Sequence, residues 1–172
     1  MPPHLLIDGY NLIRNSPLLS PIDRQDIEEG RDALISRLAE YRKVRRFPIT
    51  VVFDGGGSFH LAPEAETRLG IRIVYSSRGQ TADELIVKLA KQKGKETVVV
   101  TSDRGIWDRV KREGCVCVPS ELFDRRIDNA LYELYKGLSL DDEEGDKKKS
   151  KKGTARRLPK KLRREREILK RL

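Results

Sequence analysis

The sequence predicts an α/β fold of three layers, in which helices flank a mainly parallel central sheet and a basic C-terminal tail follows. Apolar runs rich in Val, Ile and Leu alternate with segments of helical periodicity along most of the chain. Gly, Pro, Asp or Ser bounds each apolar run, as is typical of strands. With 172 residues, of which 37% are hydrophobic, the chain can bury one core of ordinary size. We therefore expect one folded domain and an appendage.

The strands are predicted where short apolar runs meet turn residues. The first is "HLLID", and the second is "ITVVF", which follows a proline. "IRIVY", "TVVVT" and "CVCV" have a similar composition. The predicted strands are residues 4–8, 49–53, 71–75, 97–101 and 115–118. Because predicted helices separate most of them along the chain, these strands are expected to run mainly parallel.

The helices are predicted from apolar side chains that recur at helical spacing. In "RQDIEEGRDALISRLAEYRKVR" these include Leu34, Ile35 and Leu38. In "TADELIVKLA", Thr81 and Glu84 have the spacing of a capping box at the start of a helix. The predicted helices are residues 24–45, 63–69, 82–93, 104–113 and 121–136.

The positive charge is concentrated near the C-terminus. Residues 147–172 hold 14 Lys and Arg against 2 Glu, a net charge of +12, whereas residues 1–146 carry a net charge of −3. Residues 1–137 are predicted as the folded domain and residues 138–161 as a charged, low-complexity linker that has too few apolar side chains to fold. Residues 162–172 are predicted as a basic C-terminal helix or a disordered tail. This tail suits binding to a polyanion such as RNA, although a purely solubilising segment would have the same composition.

Several classes of protein are disfavoured by simple features of the sequence. No apolar stretch approaches the roughly 20 residues of a membrane helix, and the N-terminus lacks the layout of a signal peptide, so a cytoplasmic location without a membrane partner is expected. The two cysteines in "GCVCVP" supply neither a disulfide framework nor a full metal set. "IDGYN" and "FDGGGS" match neither dinucleotide-binding nor P-loop motifs. The two histidines, His4 and His60, do not support a Ser-His-Asp triad.

A carboxylate follows several of the predicted strands. Asp8 ends "LLID", Asp54 follows "VVF", and Asp103 follows "VVVTS". Asp83 lies in the first turn of the helix after "IRIVY". Because the carboxyl ends of parallel strands line one crevice, these acids are expected to converge there. Each also has an ordinary structural explanation, since Asp caps helices, starts turns and complements the helix dipole.

Converging carboxylates predict a cation, because they repel one another unless positive charge lies among them. Oxygen ligands without His or Cys select Mg²⁺ or Mn²⁺ over zinc. Such ions activate a water molecule and stabilise in-line attack at phosphorus. The residues therefore favour metal-dependent hydrolysis of a phosphodiester, and they leave open whether RNA or DNA is cut.

Four motifs in order resemble a known nuclease family. "LLIDGYNLI", "VVFDGGG", "SSRGQTADELI" and "VVVTSDRGIWDRV" are similar to the NYN branch of the PIN-like nuclease superfamily, and specifically to its YacP-like bacterial family. The resemblance covers about residues 4–136 and leaves the basic tail outside. It implies a PIN-like fold and a metal-dependent endoribonuclease site that uses Mg²⁺ or Mn²⁺. It also implies mRNA as the substrate and an association with the ribosome.

The resemblance also assigns candidate site residues. Asp8, Asp83 and Asp103 match the catalytic, metal-binding acids of the family, and Asp54 matches the acid after the second strand. The candidate substrate contacts are Asn11 in the first motif, Arg78 and Gln80 in the loop before the acidic helix, and Ser102, which also suits a helix cap.

The sequence departs from the pattern at one position, and this departure keeps an alternative open. Many PIN nucleases place a further acid two residues after the third, where this chain has Gly105, so Asp54 or Asp108 would have to complete the set. The alternative is a noncatalytic RNA- or ribosome-binding adaptor with a degenerate nuclease fold. The two interpretations differ in whether the acids hold a metal ion.

Overall fold

The computed structural model describes residues 2–55, 64–139 and 159–172, which form helices and strands in alternation. In chain order the elements are β1 (His4–Asp8), α1 (Gly9–Asn15), α2 (Ser20–Gln25), α3 (Ile27–Arg45), β2 (Ile49–Phe53), β3 (Glu64–Arg68), β4 (Ile71–Tyr75), α4 (Ala82–Lys93), β5 (Thr97–Val100), α5 (Arg104–Arg112), β6 (Val116–Val118), α6 (Ser120–Ser139) and α7 (Lys160–Arg171). None of the described helices is long and apolar enough to cross a membrane.

The six strands form one sheet in the order β3-β4-β2-β1-β5-β6. All neighbouring strands run parallel except β3, which pairs with β4 in the antiparallel sense. The central strand β1 lies between β2 and β5, and Ile7 is in register with Val51 on one side and Val100 on the other. The carboxyl ends of β1, β2, β4 and β5 therefore lie along one edge of the sheet.

The sheet is covered on both faces, which produces the three predicted layers. Leu5 and Ile7 belong to a core cluster that includes residues of α1, α3 and α6. Leu6, the residue between them, belongs to a second cluster that includes residues of α4 and α5. This alternation follows from the period of two in a strand, and burial on both faces explains why β1 is a continuous apolar run. The predicted fold class is confirmed.

The helix predicted at residues 63–69 is wrong, because Glu64–Arg68 forms the edge strand β3. All five of its residues are exposed, so the strand shows none of the apolar composition used to predict the others. Its conformation follows from a two-residue hairpin, in which Leu69 and Gly70 have φ of 52° and 77° and Arg68 pairs with Ile71. Two short helices, α1 and α2, were not predicted from the sequence, and the long helix α3 begins at Ile27 rather than at residue 24.

The C-terminal helix α7 packs against the folded body. Ile168 and Leu172 are 4% and 3% exposed and join the core cluster on the α3 and α6 side. The Tyr41 hydroxyl donates a hydrogen bond to the backbone carbonyl of Leu172 at 2.6 Å, and the Arg126 guanidinium donates to the carbonyl of Leu169. Residues 140–158 of the predicted linker lie outside the described residues, and the ends of that segment belong to α6 and α7.

Replacing Ile168 by Ala should lower the free energy of unfolding by about 2–4 kcal/mol, because the change deletes buried methyl groups from the core. Leu162→Ala on the same helix is the matched control. Leu162 is 47% exposed, and Ala is the better helix former, so the control should change stability by less than about 0.5 kcal/mol. Urea unfolding of both variants measures the difference. Equal effects would mean that α7 does not pack on the core in solution.

Candidate active site at the carboxyl edge of the sheet

Asp8 lies at the centre of the site, as the last residue of β1 and the N-cap of α1. It is only 9% exposed. Its Oδ2 accepts a hydrogen bond from the Thr101 hydroxyl at 3.0 Å, and its Oδ1 accepts a longer one from the backbone N–H of Asn11 at 3.4 Å. Burial raises the pKa of Asp8 to about 6, and the negative charges of Asp83 and Asp103 act in the same direction, against the two hydrogen bonds.

Asp103 and Asp83 are exposed and start the two helices on the other face of the sheet. Asp103 caps α5, and its Oδ1 accepts hydrogen bonds from the N–H groups of Gly105 and Ile106 at 2.7 and 3.2 Å. The backbone N–H of Asp103 donates to the Thr101 hydroxyl oxygen at 3.1 Å, so Thr101 contacts both Asp8 and Asp103. Partial burial, followed by the charge of Asp103, raises the pKa of Asp83.

Asp54 belongs to the same electrostatic group. It follows β2, and its Oδ1 accepts a hydrogen bond from the Ser76 hydroxyl at 3.0 Å, while the Ser76 oxygen accepts from the N–H of Gly55. These bonds stabilise the turn after β2, and turn formation is the ordinary structural explanation for an Asp at this position. The Asp54 charge nevertheless contributes to raising the pKa of Asp83. Asp108 is the other candidate for completing the acid set. Its charge contributes instead to raising the pKa of Cys117.

The donor set fits a hard divalent cation in charge and in chemistry. All four acids offer carboxylate oxygens, and their mutual repulsion is what a bound cation would relieve. The Asp83 carboxylate accepts no hydrogen bond from the part of the chain that the structure describes, so its oxygens are free for a ligand. In that same part of the chain, no group of three or more His, Cys, Asp or Glu is close enough to hold a metal ion. The described acids therefore share one edge of the sheet, but no three of them lie within reach of one ion.

Asn11 connects three elements beside Asp8. Its Oδ1 accepts hydrogen bonds from the N–H of Ser102 at 2.8 Å and from the Ser120 hydroxyl at 2.7 Å. Because a backbone N–H can only donate, this contact fixes the orientation of the amide. The Asn11 Nδ2 makes no hydrogen bond to a described residue, so its two N–H groups can donate to a ligand.

Ser102 is fully engaged within the protein. Its hydroxyl donates to Glu121 at 2.6 Å and accepts from the N–H of Ser120 at 2.9 Å, and the bond from Ser102 lowers the pKa of Glu121. Ser120, Glu121 and Ser76 were not identified from the sequence. Ser120 carried the only usable signal, since a Ser that follows a strand and opens a helix is a common N-terminal residue.

Arg78 and Gln80 lie in the loop between β4 and α4, at the same edge of the sheet as the acids. The N–H of Gln80 donates to the carbonyl of Ser77 at 3.1 Å, and Gly79 has φ of 76°, so the loop turns sharply at residues 77–80. Arg78 is exposed and has no ion pair with a described residue. Thr81 and Glu84 form the predicted capping box of α4.

Replacing Asp8 by Asn should stabilise the metal-free protein at neutral pH. Between the ordinary pKa of 3.8 and the raised value of about 6, folded Asp8 binds more protons than the unfolded chain does, so the stability of the unmodified protein falls as pH rises through this window. The variant should therefore be more stable at neutral pH by up to about 3 kcal/mol, at about 1.4 kcal/mol for each pKa unit.

The difference should shrink as pH falls and vanish below the ordinary pKa of 3.8, where Asp8 is protonated in both states. Urea unfolding in EDTA across the pH range measures it. Asp108→Asn, which removes an exposed acid outside the group, is the control and should show no such gain. A constant difference between Asp8→Asn and the unmodified protein at every pH would contradict the burial of an ionised Asp8.

Comparison with known proteins identifies the family. A family model described as YacP-like NYN domain matches residues 5–171, so the match extends over the tail and beyond the 4–136 range of the sequence resemblance. A protein of Bacillus subtilis (strain 168), "Uncharacterized protein YacP", is 38% identical over 90 residues, which cover 51% of this chain and 51% of that protein.

Two crystal structures of Rae1 (YacP) from Bacillus subtilis are similar in fold. One, of a tryptophan-to-leucine mutant, has a TM-score of 0.69 and 25% identity, and covers 81% of this chain and 86% of that one. The other has a TM-score of 0.67 and 27% identity, with 80% of each chain covered. The mainly parallel six-stranded sheet of this chain therefore agrees with the fold of these two structures. The chain belongs to the YacP-like NYN domain family.

Proposed function

We propose that the protein is a metal-dependent endoribonuclease. The observation that carries the proposal is the buried carboxylate of Asp8, whose pKa is raised to about 6 beside the charges of Asp83 and Asp103. A strongly perturbed acid beside other carboxylates is typical of functional sites, and membership of a family with a nuclease fold supports the same conclusion.

Asp8, Asp83 and Asp103, with Asp54, would hold Mg²⁺ or Mn²⁺. When bound, such an ion lowers the pKa of a coordinated water and offsets the charge that develops on the phosphate. The protein itself joins the two acids through Thr101, whose hydroxyl donates to the Asp8 carboxylate and accepts from the backbone N–H of Asp103. The Trp107 ring N–H donates to the carbonyl of Thr101 at 2.6 Å, which fixes this segment further.

The substrate contacts would come from both sides of the acids. The free N–H groups of Asn11 can donate to a phosphate oxygen or a water, and the exposed Arg78 can hold a phosphate through its fork of N–H groups. Gln80 lies two residues further along the same loop. Ser102 would act through Asn11, because its hydroxyl and its N–H are both used within the protein. The substrate would be mRNA, and the ribosome would be a further partner. The protein would act in the cytoplasm.

A noncatalytic RNA-binding adaptor is the second candidate function. The observation that favours it is that no three acids of the described chain lie close enough to hold a metal ion together. Incubation of an internally labelled RNA with the full chain and Mg²⁺ separates the two functions. Internal cleavage products would support the nuclease, whereas binding of the RNA without cleavage in any divalent ion would support the adaptor.

A further inference from the structure

A second charged site lies between α5 and α7, away from the acids. A groove of about 480 Å³ is bounded by the last turn of α5, the segment before β6 and the first turns of α7. Its cationic residues are Lys95, Lys111, Arg112, Lys160 and Arg164, and its acids are Glu113 and Glu165. The groove therefore has an excess of positive charge although residues 1–146 as a whole are acidic.

Only some of the cations in the groove make ion pairs, hydrogen bonds or ring contacts with other groups of the protein. Arg164 is held by an ion pair with Glu96 at 3.1 Å and by the carbonyl of Lys95. Lys111 lies over the Trp107 ring. Arg112 and Lys160 are exposed and have no ion pair with a described residue. Cations in the last turn of α5 complement its helix dipole, but this effect does not explain the charges that other segments contribute.

The outer face of α7 extends the positive surface. Arg163, Arg166, Lys170 and Arg171 are exposed at helical spacing, with Glu167 as the one acid among them. The opposite face of the same helix carries the buried Ile168 and Leu172. Packing of α7 on the core therefore fixes these cations on the surface of the folded body, rather than leaving them on a free tail.

The groove lies at the edge of the sheet opposite the acids. Lys95 and Gly114 precede β5 and β6, whereas Asp8 and Asp103 follow β1 and β5. The four-residue strand β5, which separates Lys95 from Asp103, spans about 13 Å, at about 3.3 Å for each residue. The groove and the acids therefore lie about one strand length apart, and they do not hold the same phosphate.

We propose that this groove and the outer face of α7 bind the phosphate backbone of RNA at a point remote from the cleavage site. The choice of RNA as the polyanion rests on the proposed function, while the presence of the site rests on the groove itself. The site implies a preference for RNA that is long enough to reach both edges of the sheet. It raises the affinity for such RNA and takes no part in the chemistry at the acids.

The test uses the full chain carrying Arg112→Glu and Lys160→Glu, in an Asp8→Asn background that prevents cleavage during binding. Neither groove residue makes an ion pair with a described residue, so the fold should be retained, although Arg112→Glu also removes a favourable charge from the last turn of α5, and thermal unfolding verifies this. Lys88→Glu with Lys136→Glu is the matched control, because both are exposed cations outside the groove. The probe is a poly(U) strand long enough to span the sheet, compared with an oligouridine that is too short to do so.

We expect the groove variant to bind the long strand at least about tenfold more weakly at low salt, and to flatten the slope of log affinity against log salt by about 1.4, at about 0.7 for each lost contact. The control pair should show no such loss. With Asp8 restored, cleavage of the short oligouridine should match that of the unmodified protein.

Two results would overturn the proposal. Equal losses in the groove and control variants would mean that only overall charge matters. Unchanged RNA binding, together with groove-dependent binding to vesicles of anionic and zwitterionic phospholipid, would assign the surface to a membrane instead. Neither result bears on cleavage at Asp8, so failure of this site and failure of the nuclease proposal are distinguishable.

Discussion

Single replacement of Asp8, Asp83 or Asp103 by Asn should lower the rate of RNA cleavage by at least about a hundredfold, since metal ions supply several kcal/mol of transition-state stabilisation. Asn has almost the shape of Asp but removes the negative charge that attracts the cation. Because these charges also raise the pKa values of Asp8 and Asp83, folding of the variants should be retained or improved.

Asp108→Asn is the control for this series, because Asp108 is exposed on α5 and its charge is felt at Cys117. Its rate should equal that of the unmodified protein. Asp54→Asn should have an intermediate effect, since Asp54 also stabilises the turn through Ser76. Cleavage rates are measured with labelled RNA and compared with unfolding curves. Wild-type rates in all three principal variants would show that these acids do not perform the reaction.

Removal of divalent ions should abolish cleavage altogether, and either Mg²⁺ or Mn²⁺ should restore it. All the acids offer hard oxygen ligands, whereas the two free cysteines lie elsewhere, Cys115 immediately before β6 and Cys117 in the middle of that strand. Zinc, which prefers nitrogen and sulfur, should therefore not be required. The measurement is the rate of RNA cleavage in EDTA and after each ion is added back.

The control for metal removal is the folded state of the protein in EDTA. Loss of cleavage in EDTA shows that the metal acts in catalysis only if unfolding curves show that the protein stays folded without metal. We expect it to do so, because apolar side chains pack against both faces of the sheet and form the core without a metal ion. Full activity in EDTA would show that the acids act without a metal.

The strands that form the site could be predicted because burial on both faces makes them continuous apolar runs. β1, β2 and β4 have the predicted bounds, 4–8, 49–53 and 71–75. β3 could not be found in this way, since its five residues are exposed and charged or small, and only pairing with β4 makes it a strand. Helix α1 was missed because its seven residues begin with Gly9, a poor helix former.

The Gly9 position has a structural reason that appears only in the folded protein. A Cβ atom at Gly9 would lie 2.3 Å from the Phe53 ring, closer than packed atoms allow. Phe53 in turn stacks on Tyr75 at 5.9 Å between ring centroids. The glycine therefore lets α1 start directly above β2, immediately after Asp8. Gly9 can be read from the sequence, but its close approach to Phe53 exists only in the folded chain.

The position of the four acids at one edge of the sheet could be predicted because each one follows or starts an element there. Their partners could not, since the bond between Ser120 and Asn11 joins residues 109 positions apart. The packing of α7 was missed for the same reason, because the contact between Tyr41 and Leu172 joins residues 131 positions apart. Ile168 and Leu172 have the i, i+4 spacing of an apolar helix face. The many Lys, Arg and Glu residues around them made this spacing hard to recognise.

The most direct measurement is a titration of Mn²⁺ into the unmodified chain and into Asp8→Asn, each with labelled RNA, in which bound metal and cleaved RNA are read from the same samples. For the unmodified chain we expect cleavage to rise in proportion to bound metal. For Asp8→Asn we expect metal binding at least about tenfold weaker, equivalent to about 1.4 kcal/mol, with little cleavage even at high occupancy. Equal metal binding and equal cleavage by the two chains would contradict a catalytic metal site at Asp8.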